Sequence, residues 1–150
     1  MTQDNTRNMH TDERYARYID DLNTALSWEY SAVVQYVQHA TVMTGAEYDA
    51  ITKELAVHAN EELAHALSVA QLISDLGATP TVEVAPREVS TDVRTMLQQD
   101  LEGEEKAIAI YKRLIAAAEE LQEFGQRRIL EDILMQEEEH RRDLLQALGQ

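Results

Sequence analysis

The 150-residue sequence contains no cysteine, only two prolines, five glycines and a single phenylalanine. Without cysteine the chain cannot form disulfides, thiolate zinc sites or iron–sulfur clusters, and it has no thiol nucleophile. Any bound metal must therefore be held by oxygen and nitrogen ligands. The scarcity of proline and glycine, together with a hydrophobic content of 44%, argues against disorder and against a fold rich in strands and turns. We therefore expect a single all-α domain.

Basic residues are also scarce, because 13 lysines and arginines face 28 acidic residues and leave a net charge of −15. Such a chain would repel a phosphate backbone, so we expect no nucleic-acid partner. Residues 1–20 contain no apolar run that resembles a signal peptide or a membrane span, which predicts a cytoplasmic protein without membrane contact. The acidity itself has two open interpretations, which are solubility and an acidic cavity that attracts cations.

A pattern of acids, tyrosines and histidines occurs twice, with 75 residues between equivalent positions. Its members are Glu29, Tyr36, Glu62 and His65 in the first half, and Glu104, Tyr111, Glu137 and His140 in the second. Apolar residues on both sides follow steps of three and four, which is typical of one face of a helix. The acids and histidines are therefore predicted to point inward.

The periodicity predicts helices at about residues 12–43, 46–76, 90–119 and 122–147, with residues 1–11 as a flexible tail and residues 12–150 as the folded domain. Residues 77–89 hold both prolines and are expected to be extended. An extended link of this length can run along a whole helix of the bundle. The expected fold is an antiparallel four-helix bundle with one long crossover between the second and third helices.

The inward carboxylates predict a metal centre, because burying several ionised acids without partners is expensive. Around Glu29, Glu62 and Glu104 no basic residue shares the inward stripe, whereas two divalent cations would balance four carboxylates. Glu and His three residues apart lie on one helix face, so Glu62 with His65, and Glu137 with His140, can each present an oxygen and a nitrogen together. Oxygen-rich ligation with one imidazole per metal suits iron or manganese, while zinc could bind but could not exchange electrons.

Four stretches of the chain resemble the bacterioferritins of the ferritin-like superfamily. They are residues 22–36 (LNTALSWEYSAVVQY), 61–65 (EELAH), 96–104 (MLQQDLEGE) and 129–140 (ILEDILMQEEEH). A glutamate from each of two helices with a Glu-x-x-His pair from each of the others is the known ligand set of ferritin-like carboxylate proteins. By this resemblance Glu29 and Glu104 are terminal ligands, Glu62 and Glu137 bridge the metals, and His65 and His140 are terminal nitrogens. All six residues, with Tyr36, are then the catalytic residues.

The resemblance implies a ferroxidase that oxidises Fe(II) with dioxygen or hydrogen peroxide and stores ferric iron inside a homo-oligomeric shell. Bacterioferritins bind haem through a methionine after the second-helix glutamate, but this chain has Leu63 there, so haem is not expected at that position. The sequence ends at Gln150 without the fifth helix of 24-subunit ferritins, so a 12-subunit shell is at least as plausible as a 24-subunit one.

Two other functions remain open from the sequence. One is an iron or manganese peroxidase or oxidase of rubrerythrin or catalase type that stores no mineral, although Ala107 stands where rubrerythrins usually add a glutamate. The other is a bundle used only for assembly. Tyr36 and Tyr111 are interpreted as carboxylate partners, electron donors or packing residues, and His58 as an outer ligand or a core histidine. His39 and Trp28 are expected to make packing or subunit contacts.

Overall fold

The computed structural model describes residues 11–150 and contains four α-helices in that range. They are α1 at Glu13–Val42, α2 at Asp49–Asp75, α3 at Val93–Glu120 and α4 at Phe124–Leu148, with a short 3₁₀ helix at Ala46–Tyr48 before α2. No strand occurs among the described residues, which confirms the all-α prediction. None of the described helices has a stretch both long and apolar enough to cross a membrane. The predicted tail at residues 1–11 lies outside the described residues except for Thr11.

Side-chain caps define where two of the helices begin. The carboxylate of Asp12 accepts a hydrogen bond from the backbone N–H of Arg14 at 2.9 Å, and Asp92 accepts one from Thr95 at 2.9 Å. Each cap satisfies a backbone donor that has no partner within its helix. Because Asp92 occupies the cap position, α3 starts at residue 93, three residues later than the periodicity predicts.

The four helices form two antiparallel hairpins, α1 with α2 and α3 with α4. Residues 76–92 connect the hairpins and run beside α1 without forming a strand. The backbone N–H of Thr81 donates to the side chain of Asn23 at 2.8 Å, and that of Ala85 donates to the carbonyl of Ser27 at 3.0 Å. Because both contact points advance by four residues, the crossover runs in the same direction as α1, and α3 returns antiparallel to it.

Two separate clusters of buried apolar side chains fill the bundle. One cluster includes Leu22 and Leu26 of α1, and the other includes Met43, farther along the same helix. On every helix the predicted metal ligands fall between the part that packs into one cluster and the part that packs into the other. The apolar layers therefore enclose the carboxylates on both sides and keep bulk water away from them.

Candidate metal centre

The six predicted ligand residues meet in the middle of the bundle and are all buried. Their side chains come from all four helices, since α1 supplies Glu29, α3 supplies Glu104, and α2 and α4 supply one Glu-x-x-His pair each. None of the six is more than 3% exposed, and Glu137 is 0% exposed. The repeat in the sequence thus corresponds to an approximate two-fold arrangement of side chains.

His65 lies against three carboxylates. Its Nδ1 is 3.1 Å from Glu62, 3.3 Å from Glu137 and 3.8 Å from Glu29. Donor atoms of these four residues all lie within 4.8 Å of one another. This spacing would let all four contact one cation placed between them.

His140 has an equivalent environment on the other side of the centre. Its Nδ1 is 3.2 Å from Glu62, 3.4 Å from Glu104 and 3.4 Å from Glu137. Glu62 and Glu137 thus contact both imidazoles, and donor atoms of this second set of four also lie within 4.8 Å of one another. Two neighbouring cation positions that share two carboxylates are the arrangement that these contacts favour.

The outer nitrogen of each histidine has its own acceptor. Nε2 of His65 lies 2.6 Å from the amide oxygen of Gln136, and Nε2 of His140 lies 2.6 Å from a carboxylate oxygen of Glu61. Because these oxygens accept hydrogen bonds, each Nε2 carries a proton, and Nδ1 is the atom that faces the carboxylates, as a donor to them without metal and as a free lone pair once a cation displaces its proton. An outer acceptor of this kind orients an imidazole for metal binding.

The repeated tyrosines connect the two halves of the site. The Tyr36 hydroxyl on α1 donates to Glu104 on α3, and the Tyr111 hydroxyl on α3 donates to Glu29 on α1. Each tyrosine therefore holds the single glutamate of the opposite half. Both tyrosines are about 1–2% exposed, so water does not compete for these hydrogen bonds.

The electrostatics of the site favour the binding of cations. Burial raises the pKa of Glu62 well above its usual value, and the nearby charges of Glu137 and Glu104 raise it further. Burial and then the charge of Glu137 raise the pKa of Glu104 to about 7. Burial lowers the pKa of His65 and His140, but hydrogen bonds to the surrounding carboxylates outweigh it, so both pKa values are raised.

In the part of the chain that the structure describes, no lysine or arginine balances these acids. Among the described residues, the ion pairs of the four central carboxylates involve only His65 and His140. Both side-chain oxygens of Glu137 are buried without a hydrogen-bond partner. A cavity of about 50 Å³ borders all four carboxylates, and at about 10–15 Å³ for each water-sized sphere it has room for small ions. The residues present therefore fit a pair of divalent cations.

Comparison with known proteins agrees with this geometry. The family model for the ferritin-like domain matches residues 19–150. The chain belongs to the ferritin-like family. Among its curated relatives, a bacterioferritin of Brucella melitensis is 28% identical over 141 residues, covering 89% of this chain and 88% of the relative.

Solved structures with the same fold include other members of the ferritin-like family. A ferritin-like, diiron-carboxylate protein of Bacillus anthracis superposes with a TM-score of 0.88 at 28% identity, covering 91% of this chain and 99% of that one. A dodecameric thioferritin of Bacteroides fragilis, described as bacterioferritin-related, gives a TM-score of 0.83 at 30% identity, covering 89% and 85% of the two chains. These similarities confirm both the predicted fold and the predicted family.

The structure also places residues whose roles the sequence left open. His58 stacks on His140 with ring centroids 4.0 Å apart, so it adjoins the centre instead of only packing in the core. His39 is completely buried and bonds Asp100 at 2.9 Å, which makes it part of an internal polar pair. Trp28 lies under the Lys106 ammonium, 3.8 Å from the ring centroid.

Sequence reasoning missed the outer partners of the two histidines that it predicted as ligands. Glu61 and Gln136 are themselves separated by 75 positions, so the repeat contained a signal for them. That signal was hidden because one member is an acid and the other an amide. Leu63, at the position of the missing haem methionine, is 48% exposed, and the expectation that haem does not bind there stays a prediction.

Proposed function

We propose that this protein is a ferroxidase that binds two Fe(II) ions per chain and stores the oxidised iron. Glu29 and His65 would hold one ion, Glu104 and His140 the other, and Glu62 with Glu137 would contact both. The observation that carries the proposal is the buried cluster of four carboxylates faced by two imidazole Nδ1 atoms, with no lysine or arginine bonded to it among the described residues.

This arrangement is difficult to explain as a structural device. Four ionised carboxylates away from water repel one another, and the two histidines can balance only half of that charge even when both are protonated. A proton and a divalent cation compete for the same position, because Nδ1 and the carboxylate oxygens face each other across it. Two divalent cations balance all four negative charges.

Iron is the substrate of the proposed reaction, and the oxidant is dioxygen or hydrogen peroxide. With peroxide, two Fe(II) ions each lose one electron, and one peroxide molecule takes up both electrons and two protons to give two water molecules. The protein positions the two ions side by side, so that both electrons reach one oxidant molecule. Tyr36 and Tyr111 hold the terminal glutamates, while Gln136 and Glu61 hold the histidine rings.

Storage would require an assembled shell, and two observations support one. The Bacteroides fragilis relative is described as dodecameric. The isolated protomer also leaves large apolar side chains exposed on its helices, including Val37 at 53%, Leu67 at 67% and Met135 at 64%. Such side chains are suited to contacts between copies of the chain. We propose a homo-oligomeric shell of 12 or 24 subunits, in the cytoplasm.

The test is an anaerobic titration of the metal-free assembled protein with Fe(II), followed by air, on a particle of measured mass. We expect about two Fe(II) bound tightly per chain, then oxygen uptake and ferric iron that stays in solution with the particle. Iron that is oxidised but precipitates outside the particle would contradict storage, and weak binding of Fe(II) would contradict the centre itself.

A pair of matched variants separates the centre from general surface acidity. Glu62→Gln with Glu137→Gln removes two buried shared carboxylates, whereas Glu138→Gln with Glu139→Gln removes two neighbouring carboxylates of the same charge, one half-buried and the other exposed. The first double variant should lose tight metal binding and oxidation, and the second should keep both. Equal loss in the two variants would mean that total charge, not the buried centre, attracts the metal.

The peroxidase alternative predicts a different outcome in the same experiment. Hydrogen peroxide would be consumed over many turnovers without retention of mineral. Ala107 borders the central cavity and so adds no fifth carboxylate at the position that rubrerythrins use. We therefore place storage ahead of it.

A further inference from the structure

A second group of potential ligands lies immediately outside the metal centre. It consists of Glu54 and His58 on α2 and Asp143 on α4, whose donor atoms lie within 4.8 Å of one another. Nε2 of His58 is 3.1 Å from Asp143, although the imidazole itself is only 1% exposed. The carboxylates of Glu54 and Asp143 border an open depression on the protein surface, together with Glu47.

His58 connects this outer group with the metal centre. Its ring stacks on that of His140, and its donor atoms also lie within 4.8 Å of donors of Glu104 and His140. Its Nδ1 is buried without a hydrogen-bond partner. The ring therefore offers Nε2 to the outer group while its buried Nδ1 has no partner, an arrangement that costs stability and that a buried apolar residue such as Ile133 avoids.

The sequence repeat provides an internal control for this group. At the equivalent positions, 75 residues away, Glu54 corresponds to Ile129, His58 to Ile133 and Asp143 to Ser68. These three residues border a depression beside His65, so the same place in the fold exists there without the ligands. Ile133 is only 4% exposed, which shows that packing at this position does not require a histidine.

The residues around the outer group are also more acidic than their equivalents in the other half of the chain. Glu47 beside the outer group corresponds to Gln122 in the other half, and Glu61 beside His140 corresponds to Gln136 beside His65. The depression beside His65 does contain Asp132 and Glu139, but Asp132 bonds Arg128 at 3.1 Å and Arg142 borders the same depression. Among the described residues, no basic side chain borders the depression at the outer group, and His58 lies directly behind its Asp143.

We propose that Glu54, His58 and Asp143 form a separate binding site for one divalent cation, from which Fe(II) passes to the metal centre beside His140. This inference rests on the proposed function for the transfer of iron, but the binding of the cation can be tested independently. The step moves a cation between oxygen and nitrogen ligands and involves no change of oxidation state. With this outer site, Fe(II) would enter the metal centre from the side of His140 only, although the centre itself is nearly symmetric.

The test uses Co(II), which is stable in air at these ligands and reports its coordination by visible absorption. The metal-free assembled protein is titrated at moderate salt, which suppresses loose binding by surface acids. We expect about three Co(II) per chain, of which the outer one binds more weakly than the central pair. Glu54→Gln with Asp143→Asn should reduce this number to about two, because amides are poorer ligands than carboxylates.

The control variant is Asp132→Asn with Glu139→Gln, which removes the same charge from the depression beside His65. It should keep all three cations. His58→Ile, which copies the residue found at position 133, is a second probe of the outer group and should also reduce the number to two. Anaerobic Fe(II) loading followed by stopped-flow oxidation should be slower in Glu54→Gln with Asp143→Asn, with the control unchanged.

The outcomes separate this inference from the proposed function. Two Co(II) in the unmodified protein, or three in the outer-group variants, would overturn the third site and leave the central pair intact. Loss of the third cation in the control variant as well would overturn it too, because the binding would then depend on total charge. No tight binding at all would refute both proposals.

Discussion

The strongest energetic prediction concerns Glu104 in the metal-free protein. Its pKa is raised from 4.5 to about 7 in the folded chain, chiefly by burial. The folded state therefore binds a proton more tightly than the unfolded state, and the free energy of unfolding falls as pH rises from about 4.5 to 7. At 1.36 kcal/mol for each pH unit, the pKa difference of about 2.5 corresponds to a loss of about 3 kcal/mol. His65 and His140, whose pKa values are also raised, extend the decline above about pH 6.5.

Glu104→Gln tests this reasoning because glutamine cannot ionise but can still accept the Tyr36 hydrogen bond. Denaturant unfolding is measured between pH 5 and 8 at constant protein concentration, with a chelator to keep metal away. The variant should lose less stability than the unmodified protein, by about 3 kcal/mol across the range. With saturating Co(II) the trend of the unmodified protein should reverse, since metal binding requires deprotonated ligands. Parallel pH profiles in the absence of metal would refute the view that burial keeps this carboxyl protonated.

Three further substitutions test individual contacts. Tyr36→Phe and Tyr111→Phe each remove the hydrogen bond to one proposed terminal ligand, Glu104 or Glu29, and each should weaken Co(II) binding by roughly tenfold in calorimetry; an effect in only one would mean that the two halves are not equivalent. Asp100→Ala leaves His39 buried without its partner, so thermal unfolding should show a loss of about 3 kcal/mol while the number of bound cations stays the same. Asn23→Ala removes the acceptor of the Thr81 N–H, and we expect a loss of about 1 kcal/mol with faster hydrogen exchange in the crossover; unchanged exchange would mean that this bond does not hold the crossover in place.

Much of the fold could be predicted because the apolar periodicity and the repeat agree. The positions of Glu29 and Glu104 on their helices follow from steps of three and four residues, and burial of both is confirmed. The start of α3 was predicted three residues too early because a cap depends on one side chain, Asp92, and not on the periodic pattern. The course of the crossover depends on hydrogen bonds to α1 that link residues 58 positions apart, and no local pattern indicates them.

The partners of the site residues were harder to predict than the residues themselves. Periodicity shows that Tyr36 faces inward, but only the packing of α1 against α3 shows that it reaches Glu104. Similarly, periodicity places His58 on the inward face of α2, but the bond between His58 and Asp143 depends on how α2 packs against α4. Contacts across helices are set by tertiary packing, and one sequence without related sequences holds little information on them.

The repeat is informative both where it is kept and where it is broken. The kept positions supply identical residues to both groups of potential ligands, which is what the proposed pair of ions that share Glu62 and Glu137 requires. The broken positions, such as His58 against Ile133, lie around that pair and give its two sides different surroundings. Packing alone would favour apolar residues at both places, since Ile133 is buried without difficulty. A polar residue on one side only is what the proposed outer cation site requires, and the carboxylate neighbours of His58 favour a cation there.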